Sequence, residues 1–488
     1  MKRLLPFIIV AVALFGLIGA VQAQDVSNTA ELLTLNESVA YSLGNNFDVK
    51  IARLDFMVEA ANILYSEAVF DSFLTGAVNL SEDRRKNLSI FGSDLSRNTS
   101  YNAGLSTTLR SGTEIDVSIS DQRDWTDTIF VTQNPSYTAA GEITVRQPVA
   151  NNSFGYIDRR NVTMTRLAVD NADLTMKNRI EDSIAGTEKA YWNWVFFQES
   201  LAIFEDILAK AEKLHEINIK SYDIGRIEKV DYLASEGNVV SRRNDVVIAH
   251  NRLRRAEENL KLIMNMSADL RVYPEEKLEY HPRETTLEEC LRTAFSQRRD
   301  YDQAKRETDI QNISLEVAKN KLWPEIDLVG TFAMNGIESS FDESMTRMFT
   351  KNNTDYYGGI EVKIPIENSA ARSEEEKARY RKKRSIVNLK RVERLIITDV
   401  GNAYRDYRTF ENVFSTLVEA ARIESEKLAA EEKRFSYGRS TTKTLIDYQQ
   451  DDLRARHEVA IGIRDIATSE VDLDKAMNIL LTKYRRFL

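Results

Sequence analysis

Cysteine occurs once in the 488 residues, at Cys290. One thiol excludes an internal disulfide framework. Its place beside Leu291 in a helical stretch reads as a small buried or half-buried side chain rather than a nucleophile. Histidine is nearly as scarce: His215, His250, His281 and His457 are scattered and never approach the H-E-x-x-H spacing of a metal site. No phosphate loop, serine elbow or Cys/His pair is present either. No catalytic residue, metal ligand set or cofactor is therefore indicated, and an enzyme is disfavoured. An excess of positive charge is also missing. The 66 Lys and Arg against 75 Asp and Glu give a formal charge of -9, which argues against nucleic acid as a partner.

Long apolar runs are absent except at the start. Lys2 and Arg3 precede an apolar stretch from Leu4 to Val21, and Val21-Gln22-Ala23 closes it with a small-residue cleavage signature. Residues 1–23 read as a secretory signal peptide. Its removal takes the charge to about -11, since only Lys2 and Arg3 are lost. The residue directly after the cleavage site is Gln24, not cysteine, so lipid attachment to a new N-terminal cysteine is excluded. After Ala23 no run approaches the roughly 18 apolar residues of a membrane-spanning helix. Any passage through a membrane must then be made by strands.

Proline is confined to seven positions, and residues 149–273 and 366–488 have none. Proline breaks helix interiors by removing an N–H and clashing with the preceding turn. These two stretches, rich in Ala, Glu, Lys, Arg and Leu, read as very long helices. Each is interrupted once, at Ile224-Gly225-Arg226 and at Tyr437-Gly438-Arg439, where glycine allows the left-handed backbone that ends a helix. Six helices are predicted, over about 34–70, 153–223, 228–266, 286–322, 367–436 and 441–482. The two longest reach about 100 Å at 1.5 Å per residue. Matching lengths suggest that the third and fourth helices stack end to end, and the first and sixth likewise, giving two pairs of antiparallel rods.

The pattern is duplicated. Thr34-Leu35-x-Glu37 opens one copy and Thr286-Leu287-x-Glu289 the other. Ala190-Tyr191 precedes Gly225-Arg226 by the same 35 residues that separate Ala403-Tyr404 from Gly438-Arg439. Such a tandem repeat restricts the architecture more than any single motif. The first repeat occupies 24–285 (helix, four strands, long helix, helix) and the second 286–488 (helix, two strands, long helix, helix). Within 72–148 and 325–365 the period falls to 2. Leu74, Gly76, Val78 and Leu80 alternate with Thr75, Ala77 and Asn79; Ile115, Val117 and Ile119 alternate with Glu114, Asp116 and Ser118; Ile360, Val362 and Ile364 alternate with Glu361 and Lys363. Strands of about ten residues, apolar outside and charged inside, match a membrane barrel with a watery lumen. A soluble antiparallel sheet shows the same alternation. Four to six strands are too few to close a pore, so closure needs several chains.

The order and spacing of these motifs resemble the TolC-type outer-membrane factor family, the outer membrane efflux proteins. The paired Thr-Leu-x-Glu openings carry the resemblance, with Leu322-Trp323-Pro324 before a strand, Arg146-Gln147-Pro148-Val149 leaving one, and the two Gly-Arg turns followed by Asp231-Tyr232-Leu233 and Leu445-Ile446-Asp447. The resemblance implies a mainly α fold with β. Long antiparallel helical hairpins would form a trimeric tunnel in the periplasm, below a shared β-barrel in outer-membrane lipid. Four strands per chain would give the family's usual twelve; the extra hairpin near Tyr101–Gln122 either enlarges the barrel or folds beside it. It implies a passive exit duct of a tripartite efflux pump or type I secretion system, working with a periplasmic adaptor (membrane fusion protein) and an inner-membrane transporter of RND, ABC or MFS type. By position, Ile224, Gly225, Arg226, Tyr437, Gly438 and Arg439 would be the adaptor-docking tips. Thr444, Asp447 and Asp451 would stand at the periplasmic constriction, where Thr444 replaces the first acidic ring position. The residue-level alternative for Asp447, Asp451 and Asp452 is a solvated helix face. Tyr191-Trp192-Asn193-Trp194-Val195-Phe196-Phe197, with Tyr404, Tyr407 and Phe410 at the matching level, is expected to pack a girdle halfway along the rods. A non-transport coiled-coil scaffold or adhesin would explain the helices but not the twice-placed strands.

Overall fold

The computed structural model describes residues 31–86, 92–350 and 352–487; the expected signal peptide, 1–23, lies outside them. Two helices dominate, α3 (Tyr156–Asp223) and α8 (Ser369–Ser436), each of 68 residues. Each ends in the same way. Gly225 and Gly438 take φ of +73° and +71°. Arg226 N donates to Ser221 O (2.8 Å) and Arg439 N to Arg434 O (2.9 Å), closing the terminal carbonyls as left-handed glycine caps do. The chain then reverses into α4 (Lys229–Met264) and α9 (Thr442–Met477), both of 36 residues. These end on Asn265 and Asn478, again left-handed. The openings are duplicated too: Thr34 with Glu37, and Thr286 with Glu289, form full capping boxes.

The shorter rods differ from the sequence expectation in two respects. Each is broken near its start, into α1 (Leu35–Asn45) and α2 (Phe47–Glu67), and into α5 (Leu287–Gln297) and α6 (Arg299–Asn320). The stacking partners are also exchanged. The first rod meets α4 and the fourth meets α9, so stacking occurs within each repeat. The cause is local hydrogen bonding at the break. Asn46 Oδ1 caps α2 by accepting from Asp48 N (2.6 Å), while its Nδ2 donates to Ile263 O at the end of α4 (2.7 Å). In the second repeat Arg299 N donates to Asn478 Oδ1 (3.1 Å) and Arg298 Nη1 to Ala476 O (3.4 Å). Four helix ends that would otherwise leave bare amides and carbonyls satisfy one another. The long helix α3 packs against α2 and α4 on one side and α6 and α9 on the other; α8 packs beyond α6 and α9. The chain is thus a wall four helices across.

The core sits halfway along the rods. Tyr191, Trp194, Val195 and Phe196 of α3 pack with Leu260, Met264, Val272 and Leu278. Tyr407, Ile396 and Cys290 anchor the equivalent cluster in the second repeat. A short parallel pair, β1 (Glu31–Leu33) with β6 (Val272–Pro274), joins the N-terminal segment to the inter-repeat link. The sequence reading did not identify it, since three-residue strands have no measurable period. Tyr191 hydroxyl donates to Leu33 O (2.8 Å) and contacts the Glu276 carboxylate. Burial, then Glu276, hold this phenol far above its ordinary pKa.

Above the rods lies one antiparallel sheet of β2 (Ser72–Asp83), β3 (Ser96–Thr108), β4 (Glu114–Thr126), β5 (Ser136–Pro148), β7 (Glu325–Glu338) and β8 (Thr354–Lys363), in that spatial order. The register puts Leu74, Leu105, Val117, Ile143, Phe332 and Tyr356 on one face. The opposite face carries Asn102, Ser118, Glu142 and Thr331, and a charged cluster in which Arg146 binds Asp327 (3.1 Å) and Glu361 (2.6 Å). Between β7 and β8 a short helix, α7 (Phe341–Met348), folds back onto the apolar face. Ser344 Oγ there donates to the buried Asp121 carboxylate (2.8 Å), shielding an acid on that face. Neither α7 nor this shielding was expected from the sequence.

The two tryptophans of α3 separate packing from surface chemistry. Trp194 is 1% exposed and Trp192 only half-buried. Trp194→Ala should cost about 3–5 kcal/mol and lower the thermal midpoint of the purified protein. Trp192→Ala should cost less than half as much. Equal small shifts in circular-dichroism melts would remove the core assignment.

Candidate docking tips and constriction

At the end opposite the sheet, the two reversals project as separate tips. Ile224 is 64% exposed and Tyr437 67% exposed, each beside a glycine and an exposed arginine, Arg226 or Arg439. A Cβ on Gly225 or Gly438 would meet nothing within 4 Å, so only the positive φ, not space, requires glycine. Each tip therefore offers one apolar side chain and one cation on a rigid helix end.

Behind the tips the two helical hairpins are fastened together. Leu214, Leu428 and Leu445 form a small buried cluster. Asn218 Nδ2 donates to Thr442 Oγ1 (3.1 Å), both buried. Arg242 of α4 contacts Gln450 of α9 and Asp245 (3.0 Å). One turn further on, Arg456 of α9 pairs with Asp206 of α3, and Lys210 reaches both Asp206 (3.2 Å) and Asp452 (3.8 Å). Arg456 also lies 3.9 Å from Asp452, which is 1% exposed. Burial pulls the Asp206 carboxyl up, but hydrogen bonds from Arg456 and Lys210 outweigh it and hold the pKa below the ordinary 3.8.

The three residues marked for the constriction separate in role. Thr444 completes the start of α9: its N–H donates to Thr441 Oγ1 (3.2 Å) and the two hydroxyls share a bond (2.9 Å). Asp447 is exposed, and Asp451, half-buried, lies 3.9 Å from Arg454. Asp447 and Asp451 share one helix face, as their spacing of four requires. Asp452 points instead into the joint between hairpins. Sequence reading weighed Asp452 only as part of a solvated face and missed Asp206, Lys210, Arg242 and Arg456. The i, i+4 pairs Asp206–Lys210 and Asp452–Arg456 were visible; that they meet across two hairpins was not.

Among the described residues no group of three or more His, Cys, Asp or Glu is placed to hold a metal ion. No described helix is long and apolar enough to cross a membrane. Exposed apolar side chains instead line the outer edges of the helical wall: Ile51, Leu54 and Val58 on α2, Val240 and Val247 on α4, and Val387 and Leu395 on α8.

Residues 290–478 match the family described as outer membrane efflux protein. No curated protein matches the sequence. Solved structures share the fold over nearly the whole chain. The Campylobacter jejuni CmeC outer membrane channel is 15% identical at a TM-score of 0.67, covering 94% of this chain and 90% of that one. The outer membrane protein VceC from Vibrio cholerae is 10% identical at 0.68, covering 91% and 96%. The open state of the Neisseria gonorrhoeae MtrE outer membrane channel is 18% identical at 0.66, covering 91% and 88%.

The Asp206 tie carries a pH dependence of defined sign. Its folded pKa is depressed, so its contribution is complete above about pH 4 and disappears as pH falls through the lower folded value. Protease cleavage near the α8–α9 turn should rise as pH falls below about 4, and Asp206→Asn should remove that component. At pH 7, Arg456→Ala should accelerate the same cleavage, because it leaves the buried Asp452 with the 3.8 Å Lys210 contact as its remaining cation. Cleavage rates indifferent to both changes would exclude these pairs as fasteners.

Proposed function

From residues 290–478, which belong to the outer membrane efflux protein family, we propose that the chain is the outer-membrane exit duct of a tripartite efflux pump or type I secretion system. Three copies surround a passive channel. The sheet lies in outer-membrane lipid and the rods extend through the periplasm. An inner-membrane transporter supplies the energy, and a periplasmic adaptor docks at the tips. One observation carries the reading: rods of about 100 Å rise directly into a sheet with one apolar and one charged face and two open edges. A sheet of this kind suits a lipid-facing wall around a watery lumen. A scaffold or adhesin needs the rods but has no use for the two-faced sheet.

The exposed apolar edges of the helical wall support self-association. α2 and α4 form one edge and α8 the other, so a cyclic arrangement sets unlike edges against each other and closes without a free end. At the tips, Ile224 and Tyr437 would contribute the apolar contact with the adaptor, and Arg226 and Arg439 the charge. The face of Asp447 and Asp451 would be repeated three times around the axis. Clustered carboxylates of this kind attract cations.

The duct should fractionate with outer membranes, migrate as a trimer and conduct ions in planar bilayers. A protein found only in soluble periplasmic extracts would end this reading. Gly438→Asp with Tyr437→Asp should abolish export while trimers persist; unimpaired export would remove the tip from the docking surface. Asp447→Asn should weaken block by multivalent cations in single-channel recordings if that face lines the lumen.

A further inference from the structure

The two outermost strands of the sheet are unprotected. β2, of 12 residues, and β8, of 10, are exposed along almost their whole length and contain no proline. Edges this long and regular are templates for pairing with another chain. Their directions fit a second copy of this chain. β2 runs away from the rods and β8 returns toward them, so β8 of one copy meets β2 of the next antiparallel, like every other neighbouring pair. Their faces also agree. Leu74, Val78 and Leu80 continue the row that ends with Tyr356, Ile360 and Val362 at the other edge.

The hairpin β3–β4 is internal to this wall. β3 pairs along its full length with β2 on one side and β4 on the other. Its turn is seated in the junction with the helices. Gly112 and Gly155, both at φ +70°, approach so closely that a Cβ on Gly155 would stand 2.7 Å from Gly112 N. Arg159 Nη1 donates to Arg110 O (3.0 Å), Gln147 Nε2 to Ser111 O (3.2 Å), and Arg110 lies 3.6 Å from Glu67 at the end of α2. Folding the hairpin aside would break two ladders and this seat.

We propose that three copies close into a single barrel of eighteen strands, six from each chain, rather than the twelve that four strands per chain would give. The inference rests on the trimeric duct proposed above and goes further by giving the width of its outer-membrane section. The circumferences support it. Strands about 4.8 Å apart and tilted by about 40° give roughly 110 Å for eighteen and about 75 Å for twelve. A tunnel wall of twelve helices, four from each chain, at about 9–10 Å spacing measures roughly 110–120 Å. The eighteen-strand barrel continues the tunnel at nearly its own width, whereas a twelve-strand barrel has to taper. Barrel diameter grows about linearly with strand number, so the lumen has about twice the cross-section of a twelve-strand barrel.

Electron cryo-microscopy of the full-length protein purified from outer membranes tests this directly. Eighteen strands, with β8 of each chain on β2 of its neighbour, are expected. A trimeric tunnel carrying a twelve-strand barrel, with the hairpin packed elsewhere, overturns the inference and leaves the duct intact. A protein without a trimeric tunnel overturns both. An independent measurement uses a chain lacking residues 96–126, which removes β3 and β4 as a pair and keeps the strand directions. Where it forms trimers, barrel-limited conductance should fall to about half; unchanged conductance contradicts the wider barrel.

Discussion

The fold depends on how backbone groups are satisfied where helices stop. Rods of 68 residues leave a set of bare amides and carbonyls at each end, and their ends define every other part of the molecule. At the tips, left-handed glycines close the carbonyls and turn the chain within a few residues. At mid-height, Asn46 with Ile263, and Asn478 with Arg299, let one helix end cap another. These junctions set the level at which the half-length rods meet. They therefore set where the aromatic core collects and how far the tips stand from the sheet.

The charged groups are distributed in keeping with that frame. Glu181 and Glu188 are buried in the girdle, and burial raises both above the ordinary glutamate value despite nearby cations. Glu181 accepts from Leu480 N (3.0 Å) and Asn478 (2.8 Å) and pairs with Arg299. Glu188 lies 3.1 Å from Lys483 and binds the Tyr484 hydroxyl. In an enzyme, perturbed carboxylates of this kind would suggest acid–base chemistry. Here every partner comes from a helix end or the C-terminal segment, and the groups bind that segment to α3. Nearer the tips, the Asp206–Arg456 pair is half-exposed, while Asp452, facing Lys210, is buried. They join the hairpins to each other instead of completing a core.

Much of this was readable from residues alone because it rests on local rules. The missing prolines located the long helices, the Gly-Arg pairs their reversals, and the Thr-x-x-Glu boxes the starts of each repeat. Alternation marked out the two regions, 72–148 and 325–365, within which all six long strands lie. The breaks at Asn46 and Arg298 escaped notice because nothing in the period marks them. The exchange of stacking partners escaped for a related reason. Rod lengths allow either pairing, and the choice depends on which side chain reaches which terminal carbonyl.

By itself, then, the sequence determined the elements, their duplication and the two-faced character of the strands. These follow from proline, glycine and hydrophobic period, which act over a few residues. Only the tertiary structure decided that α2 stacks on α4, that Asp452 is buried against Lys210 and Arg456 while Asp447 stays exposed, and that β3–β4 lies inside the sheet. Those outcomes depend on contacts between residues hundreds of positions apart. There, hydrogen-bond satisfaction and burial select one of several arrangements that local pattern leaves equally allowed.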